Sequence, residues 1–331
     1  MRKKTNIPHV VVMGGGTGTF AVTSALKRLP CTISAIIAVS DSGGSTGRIR
    51  DEFGFQPVGD LRQSLAALAD LSSQQWIQKI LLYRFDKGSG LQGHNLGNLI
   101  LTALQDMSGS TGKALEIAEK IFNLHGKVIP VTNQTVDLKI FYQDGSTVIG
   151  EHILDESDEN PKSIDRVELT PECTLNPVAH EEILTADFIC IGPGDLYASL
   201  LATLVVPGIS EAFAQTKAKI VYIPNLMTRR TQTHNMTARQ HVDKIAEVLG
   251  RNVDIILINN TTIPQAILKA YAAEQEFPVT DTLAADTRVI RADFLKEQPV
   301  PKTATDTAYR SLLRHDPEKL CAVFRTILFK A

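Results

Sequence analysis

Residues 9–18, His-Val-Val-Val-Met-Gly-Gly-Gly-Thr-Gly, constrain this chain more than any other stretch. An apolar run over 10–13 breaks into three glycines, and 19–29 then has helical spacing. Such a pattern predicts a strand feeding a tight turn at a helix start. Glycine at the turn lets a bound diphosphate approach the backbone, while the free N–H groups and the helix dipole attract its charge. The dinucleotide fingerprint Gly-x-Gly-x-x-Gly is only partly met, because Thr19 stands where the last glycine belongs. The turn alone therefore leaves two readings open, a nucleotide cradle and a strand-to-helix turn without a ligand.

With 331 residues, 43% hydrophobic and 21% charged, the chain can bury a large core. Lys plus Arg total 34 against 36 for Asp plus Glu, and a net charge of −2 supplies no basic field for a nucleic acid, which is excluded as a main partner. No stretch approaches the ~20 apolar residues of a membrane helix, and the run at 10–13 is too short for a signal-peptide core. A cytoplasmic protein with no membrane span is expected. Cys31, Cys173, Cys190 and Cys321 form no Cys-x-x-Cys pair and read as reduced, buried thiols.

Strand-like segments at 10–13, 34–39, 127–131, 187–191, 220–224 and 254–259 alternate with helical patterns at 61–69, 76–85, 96–105, 114–124, 196–205, 238–249 and 265–273. This rhythm predicts an α/β, Rossmann-like three-layer fold with a mostly parallel sheet, taken as a single domain over 1–331. From 132 to 180 the pattern turns to period-two alternation, as in Val136-Asp137-Leu138-Lys139-Ile140, with a hairpin signal at Asp144-Gly145. That segment predicts a small antiparallel β insertion. Its acidic run, Asp155, Glu156, Asp158 and Glu159, lacks convergent spacing and reads as a solvated loop, so no metal site is expected.

In doubly wound sheets ligands sit beyond the carboxyl ends of the strands. After the second strand comes Asp41-Ser42-Gly43-Gly44-Ser45, where an acidic residue can accept from a ribose diol and the following hydroxyls and amides can meet a phosphate. Asp60 heads Asp-x-x-Gln, which reads equally as a capping box or a ligand contact. His94, Asn95 and Asn98 stand at a helix start, with Asn95 a candidate cap and His94 either ligand-facing or structural. Gly192-Pro193-Gly194 forms a second backbone-rich turn, followed by Asp195, an anion repellent or a simple cap. Asn225-Leu226-Met227-Thr228 precedes Arg229 and Arg230, which either neutralise a diphosphate or lie in solvent.

Taken in order, Gly14-Gly15-Gly16-Thr17-Gly18, Asp41-Ser42-Gly43-Gly44-Ser45-Thr46-Gly47, Gly59-Asp60-Leu61-Arg62, His94-Asn95-Leu96-Gly97-Asn98, Gly192-Pro193-Gly194 and Asn225-Leu226-Met227-Thr228 resemble the gluconeogenesis factor (YvcK-like) family of the 2-phospho-L-lactate transferase (CofD-like) superfamily. The resemblance implies a Rossmann-like fold, a cytoplasmic location, binding of UDP-sugars such as UDP-N-acetylglucosamine, and a regulatory role in cell shape and cell-wall synthesis on gluconeogenic carbon sources. It implies nucleotide binding by Gly14, Gly15, Gly16, Thr17, Gly18, Asp41, Ser42, Gly43, Gly44, Ser45, Asp60, His94, Asn95, Asn98, Gly192, Pro193, Gly194, Asn225, Met227 and Thr228. It assigns no catalytic residue.

The related transferases move phospholactate from a guanosine diphosphate conjugate onto a deazaflavin, with aspartates and Mg²⁺. Asp41-Ser42-Gly43-Gly44 lacks their second adjacent carboxylate, so Mg²⁺ is expected only if the chain is an enzyme. Two further departures are Asp195 in place of the usual Ser, and Arg229-Arg230-Thr231-Gln232-Thr233 in place of a segment with Gly-Glu-Thr. A nucleotide-sugar-binding regulator, a phosphotransferase-like enzyme and an NAD-dependent dehydrogenase remain the alternatives. Cell-wall or regulatory protein partners and a homo-oligomer stay open.

Overall fold

The computed structural model describes residues 7–69, 75–155, 162–297 and 311–329. Seven parallel strands form the main sheet in the order β10-β9-β8-β7-β1-β2-β3, where β1 is His9–Gly14, β2 Thr32–Ile37, β3 Lys127–Pro130, β7 Phe188–Ile191, β8 Lys219–Tyr222, β9 Ile255–Asn259 and β10 Val289–Ala292. A second, antiparallel sheet has the order β5-β4-β6, from Asp137–Tyr142 (β4), Thr147–Ile149 (β5) and Ile164–Thr170 (β6). The expected mostly parallel α/β fold with a small antiparallel sheet is therefore what forms.

β1 is an interior strand beside the central β7, with Val12 aligned on Ala35 of β2 and on Cys190 of β7. Helices cover both of its faces, which is why Val10, Val11, Val12 and Met13 can be apolar without alternation. The antiparallel sheet behaves in the opposite way: Val136, Leu138 and Ile140 are buried while Asp137 and Lys139 between them are not. Its hairpin turns at Asp144-Gly145 as expected, with the Ser146 N–H donating to Asp144 Oδ1 at 2.8 Å.

The helices Ala238–Leu249 and Gln265–Ala273 have their expected bounds. The first begins at a capping box between Thr237 and Gln240 and ends at Gly250 in the left-handed conformation. Several elements differ from expectation. The first helix opens at Gly16, inside the glycine turn, because Gly15 serves as its N-cap. The Ser-Gly segment after β2 is itself a helix, Gly44–Phe53, and Pro177–Thr185 lies at the end of the region expected to be purely β. Residues 196–205 begin as a π-helix, Leu196–Leu201. β10 was not expected at all, since its residues are only partly buried and lack a continuous apolar run.

Among the described residues no single helix is long and apolar enough to cross a membrane. All four cysteines are free thiols, but Cys31 is half-buried where full burial was expected. Glu156, Asp158 and Glu159 of the acidic run lie outside the described residues.

At the amino ends of the strands, away from the glycine turns, Glu182 gathers three partners. It accepts from Ser34 Oγ at 2.5 Å and Lys127 Nζ at 2.6 Å, and lies 2.9 Å from His9 Nε2. The hydrogen bond from His9 holds the Glu182 carboxyl down at about 2, and the same bond raises the His9 pKa. This network ties β1, β2 and β3 to the Pro177–Thr185 helix. Glu182→Gln is expected to cost about 1–3 kcal/mol at pH 6, the range for a lost charge-assisted hydrogen bond. A raised histidine pKa contributes stability that is full below its unfolded value and is lost as pH rises through the folded value. Thermal melts at pH 6 and pH 9 should therefore show a smaller cost at pH 9.

Candidate functional site

Strand order reverses between β1 and β7, since β2 and β3 extend the sheet to one side and β8, β9 and β10 to the other. The loops after β1 and β7 part at this point, which is where an open α/β sheet forms its ligand crevice. A cavity of about 480 Å³ occupies it, within the ~300–1,000 Å³ of small-molecule sites.

Its floor is the first glycine turn. A Cβ on Gly18 would stand 1.9 Å from the Pro193 carbonyl oxygen, so the two turns touch backbone to backbone. On the other side, a Cβ on Gly15 would fall 2.2 Å from Asp60 Oδ2. Backbone excludes a side chain at Gly18, whereas at Gly15 a side chain would displace the Asp60 carboxylate from the turn. The second turn is pinned from the next loop, where Asn225 Oδ1 accepts the Gly194 N–H at 2.9 Å.

Thirteen of the twenty residues implied by the resemblance line this cavity: Gly15, Gly16, Thr17 and Gly18 from the first turn; Asp41 and Gly43; Asp60 and Asn98; Pro193 and Gly194; Asn225, Met227 and Thr228. Gly14 and Gly192 lie behind their turns, ending β1 and following β7, and are not in the lining. Ser42 is turned to His152, their Oγ and Nδ1 being 2.9 Å apart. Gly44 and Ser45 open the Gly44–Phe53 helix. Asn95 caps the Leu96–Ser108 helix by accepting the Asn98 N–H at 3.3 Å, and neither it nor His94 lines the cavity. Arg229 is buried in the wall, whereas Arg230 is outside it. Asp195 lies at the cavity edge in the N-cap position, but its side chain makes no capping hydrogen bond.

Of the two readings open for Asp60, helix capping does not hold. The helix Gly59–Leu68 has Val58 as N-cap, which leaves Asp60 in the first turn, where its carboxylate is accepted by the dipole. It receives the Gly16 N–H, so the protein's own anion sits against the glycine turn. Burial and then repulsion from Asp41 push the Asp60 carboxyl up to about 7, while Arg62 partly offsets them. Asp41 is raised as well, chiefly by burial, although it accepts from the Gly43 N–H at 2.9 Å and from Thr46. Arg62 is only 4% exposed and donates to the Leu81 carbonyl at 3.0 Å. Among the described residues, no group of three or more His, Cys, Asp or Glu side chains could hold a metal.

Several lining residues carry no local signal in the sequence. Glu151 and His152 arrive from the antiparallel sheet, more than a hundred positions after Ser42. Ser311, Leu313 and His315 arrive from near the C-terminus. Their segment is fixed to the Gln265–Ala273 helix by Tyr271, whose hydroxyl is 2.6 Å from Ser311 Oγ and accepts the Leu313 N–H at 3.0 Å. His315 packs against Phe294, and burial pushes it down to about 4, so it is neutral.

Comparison with known proteins shows the family and the fold. Residues 10–295 match the family model described as 2-phospho-L-lactate transferase CofD. The chain is 37% identical to a gluconeogenesis factor of Bacillus subtilis over 97% of this chain and 98% of that one. It is 40% identical to a gluconeogenesis factor of Halalkalibacterium halodurans over 84% of each. A crystal structure of a UPF0052 family member from Bacillus halodurans superposes with a TM-score of 0.86 at 35% identity, over 96% of this chain and 99% of that one.

A carboxyl whose folded pKa is raised from 3.8 to about 7 binds its proton more tightly in the folded chain. The Asp60 contribution to stability should therefore fall as pH rises from about 4 to about 7. Asp60→Asn keeps an oxygen for the Gly16 N–H and removes the charge. It is expected to raise stability at pH 8 by about 1–3 kcal/mol, the scale of a poorly compensated buried polar group, and to flatten this pH dependence in thermal melts.

Proposed function

The chain belongs to the 2-phospho-L-lactate transferase CofD family, and from that premise we propose that it is a gluconeogenesis factor that binds a nucleotide sugar of the UDP-N-acetylglucosamine type. The observation that carries this reading is the pair of glycine turns meeting at the switch point, beneath a cavity large enough for a nucleoside diphosphate conjugate. The diphosphate lies across the N–H groups at 17 and 18, those of Gly16 and Gly194 being taken by Asp60 and Asn225, with buried Arg229 and Arg62 supplying positive charge. Hydroxyl-rich groups donate to Asp41 and to Asn225 or Asn98. The relatives' names support the gluconeogenesis assignment. From the motif resemblance the reading extends to a cytoplasmic regulator of cell shape and cell-wall synthesis that acts on protein partners through its ligand-bound state.

One observation favours a second reading. Asp41 and Asp60 repel each other across the floor of the site, and two carboxylates plus phosphate oxygens make an ordinary Mg²⁺ set. In that reading Asp41 and Asp60 would hold the ion, which would stabilise charge on a departing phosphate, and the chain would be a transferase.

Calorimetric titration with UDP-N-acetylglucosamine, GDP and NAD separates the nucleotides, and chromatography after long incubation with Mg²⁺ separates binding from turnover. Tight binding of the UDP-sugar and its recovery unchanged are expected. Steady release of UDP, lost in both Asp41→Asn and Asp60→Asn, would establish the transferase instead. Gly16→Asp places a second carboxylate beside Asp60, where a Cβ would lie 3.8 Å from Asp60 Oδ1 at a φ of +65°, so the variant should lose some stability and, once shown to be folded by circular dichroism, bind no diphosphate. Unchanged affinity in that folded variant would remove the turn from the site.

A further inference from the structure

The cavity is bordered by two chemically different regions. Toward β2 its wall is polar, with Gln63, Arg84, Glu151 and His152. Toward β8 the wall is mixed, with Leu226, Met227 and Leu313 beside Arg229, Glu276 and Arg314. At that end, beyond the carboxyl ends of β8 and β9, lies a second, mostly apolar cavity of about 190 Å³ that shares Asn225 and Leu226 with the first. Its walls are Leu257, Ile263, Leu268, Pro278 and Val279, with Thr261 and Thr262 at the edge.

Side chains lining this second cavity belong to, or pack on, a buried apolar cluster. Met227, Ile263, Tyr271, Leu295 and Leu313 form a small buried core of their own, with Leu226 and Leu268 packed against it. Asn225 stands where the two cavities join and already fixes the second glycine turn at Gly194. A ligand phosphate beside that turn is therefore adjacent to the apolar slot. At the polar end, His152 is held at the rim by Ser42, which accepts the His152 backbone N–H at 3.1 Å and pairs with its ring.

The two ends suit different groups. A nucleobase is flat and apolar on both faces and needs hydrogen bonds only at its edge, whereas each sugar hydroxyl costs free energy if buried without a partner. Resting on the nucleotide-sugar reading above, we propose that the nucleobase occupies the second cavity at the ends of β8 and β9, and that the sugar lies on the β2 side among Asp41, Gln63 and His152. This is the reverse of the dinucleotide arrangement, in which the acidic residue after the second strand meets a ribose. Asp41 then selects the sugar, and Thr262 guards the base.

Thr262 is exposed at the slot mouth, so Thr262→Trp blocks the slot without entering the core, and Thr262→Phe replaces it if the first variant melts early. The parent, Thr262→Trp and His152→Ala are titrated with UDP-N-acetylglucosamine, UDP and inorganic pyrophosphate. Thr262→Trp is expected to weaken both uridine ligands by about tenfold and leave pyrophosphate unchanged. His152→Ala is expected to weaken the UDP-sugar and leave UDP unchanged. Unaltered UDP affinity in Thr262→Trp, an equal loss of pyrophosphate, or the reverse pattern between the two variants overturns the orientation. If the parent binds GDP or NAD and not the UDP-sugar, the uridine reading fails alone, and Thr262→Trp must then weaken that nucleotide but not pyrophosphate. A parent that binds no nucleotide overturns both.

Discussion

Two crossovers leave the sheet in opposite directions from adjacent strands, and they part around a backbone contact between Gly18 and the Pro193 carbonyl. A side chain at 18 would force the turns apart and with them the strands that carry them. Because they stay together, the helix Gly16–Leu26 begins directly over β1, and its first N–H groups face the crevice. The position of the cavity, the reach of Asn225 to Gly194 and the placing of Asp60 all follow from that contact.

The charge arrangement on this floor runs against stability. Asp41 and Asp60 are desolvated together, and Arg62, itself buried, offsets only part of the repulsion. A fold selected for stability alone would place apolar or singly charged groups there, so the cost points to a site that meets a ligand. The Glu182 network at the opposite end of the same strands shows the contrasting case. There a carboxylate with three donors has its pKa lowered, and it holds the sheet to a helix.

The antiparallel sheet gives the site its third wall. It carries Glu151 and His152 to the cavity and is joined to the loop after β8 by a hydrogen bond from Thr231 Oγ1 to the Leu154 carbonyl. That bond uses the segment 229–233, one of the two places where the chain departs from the pattern that the motif resemblance implies. The departure thus lies where the insertion meets the loop that carries Arg229.

Local chemistry was enough to read much of this protein from its residues. Apolar runs buried on both faces identified the central strands, and alternation over 136–140 identified the antiparallel sheet. The helix Ala238–Leu249 was legible to the residue because its cap and its terminating glycine are neighbours in the chain. Glycines at 15, 16 and 18 marked the turn because lacking a side chain, and at Gly16 reaching a positive φ, are properties of the residue itself. What lay outside this reading depends on residues distant in sequence. The Asp-x-x-Gln pattern at Asp60 looks like a cap from its neighbours alone, yet the helix starts one residue earlier and sends that carboxylate to Gly16. His152 meets Ser42, and Leu313 meets Tyr271, only after strands far apart in the chain have paired. The juxtaposition of the polar β2 side of the cavity and the apolar second cavity likewise exists only in three dimensions, because each is assembled from elements that share no local pattern.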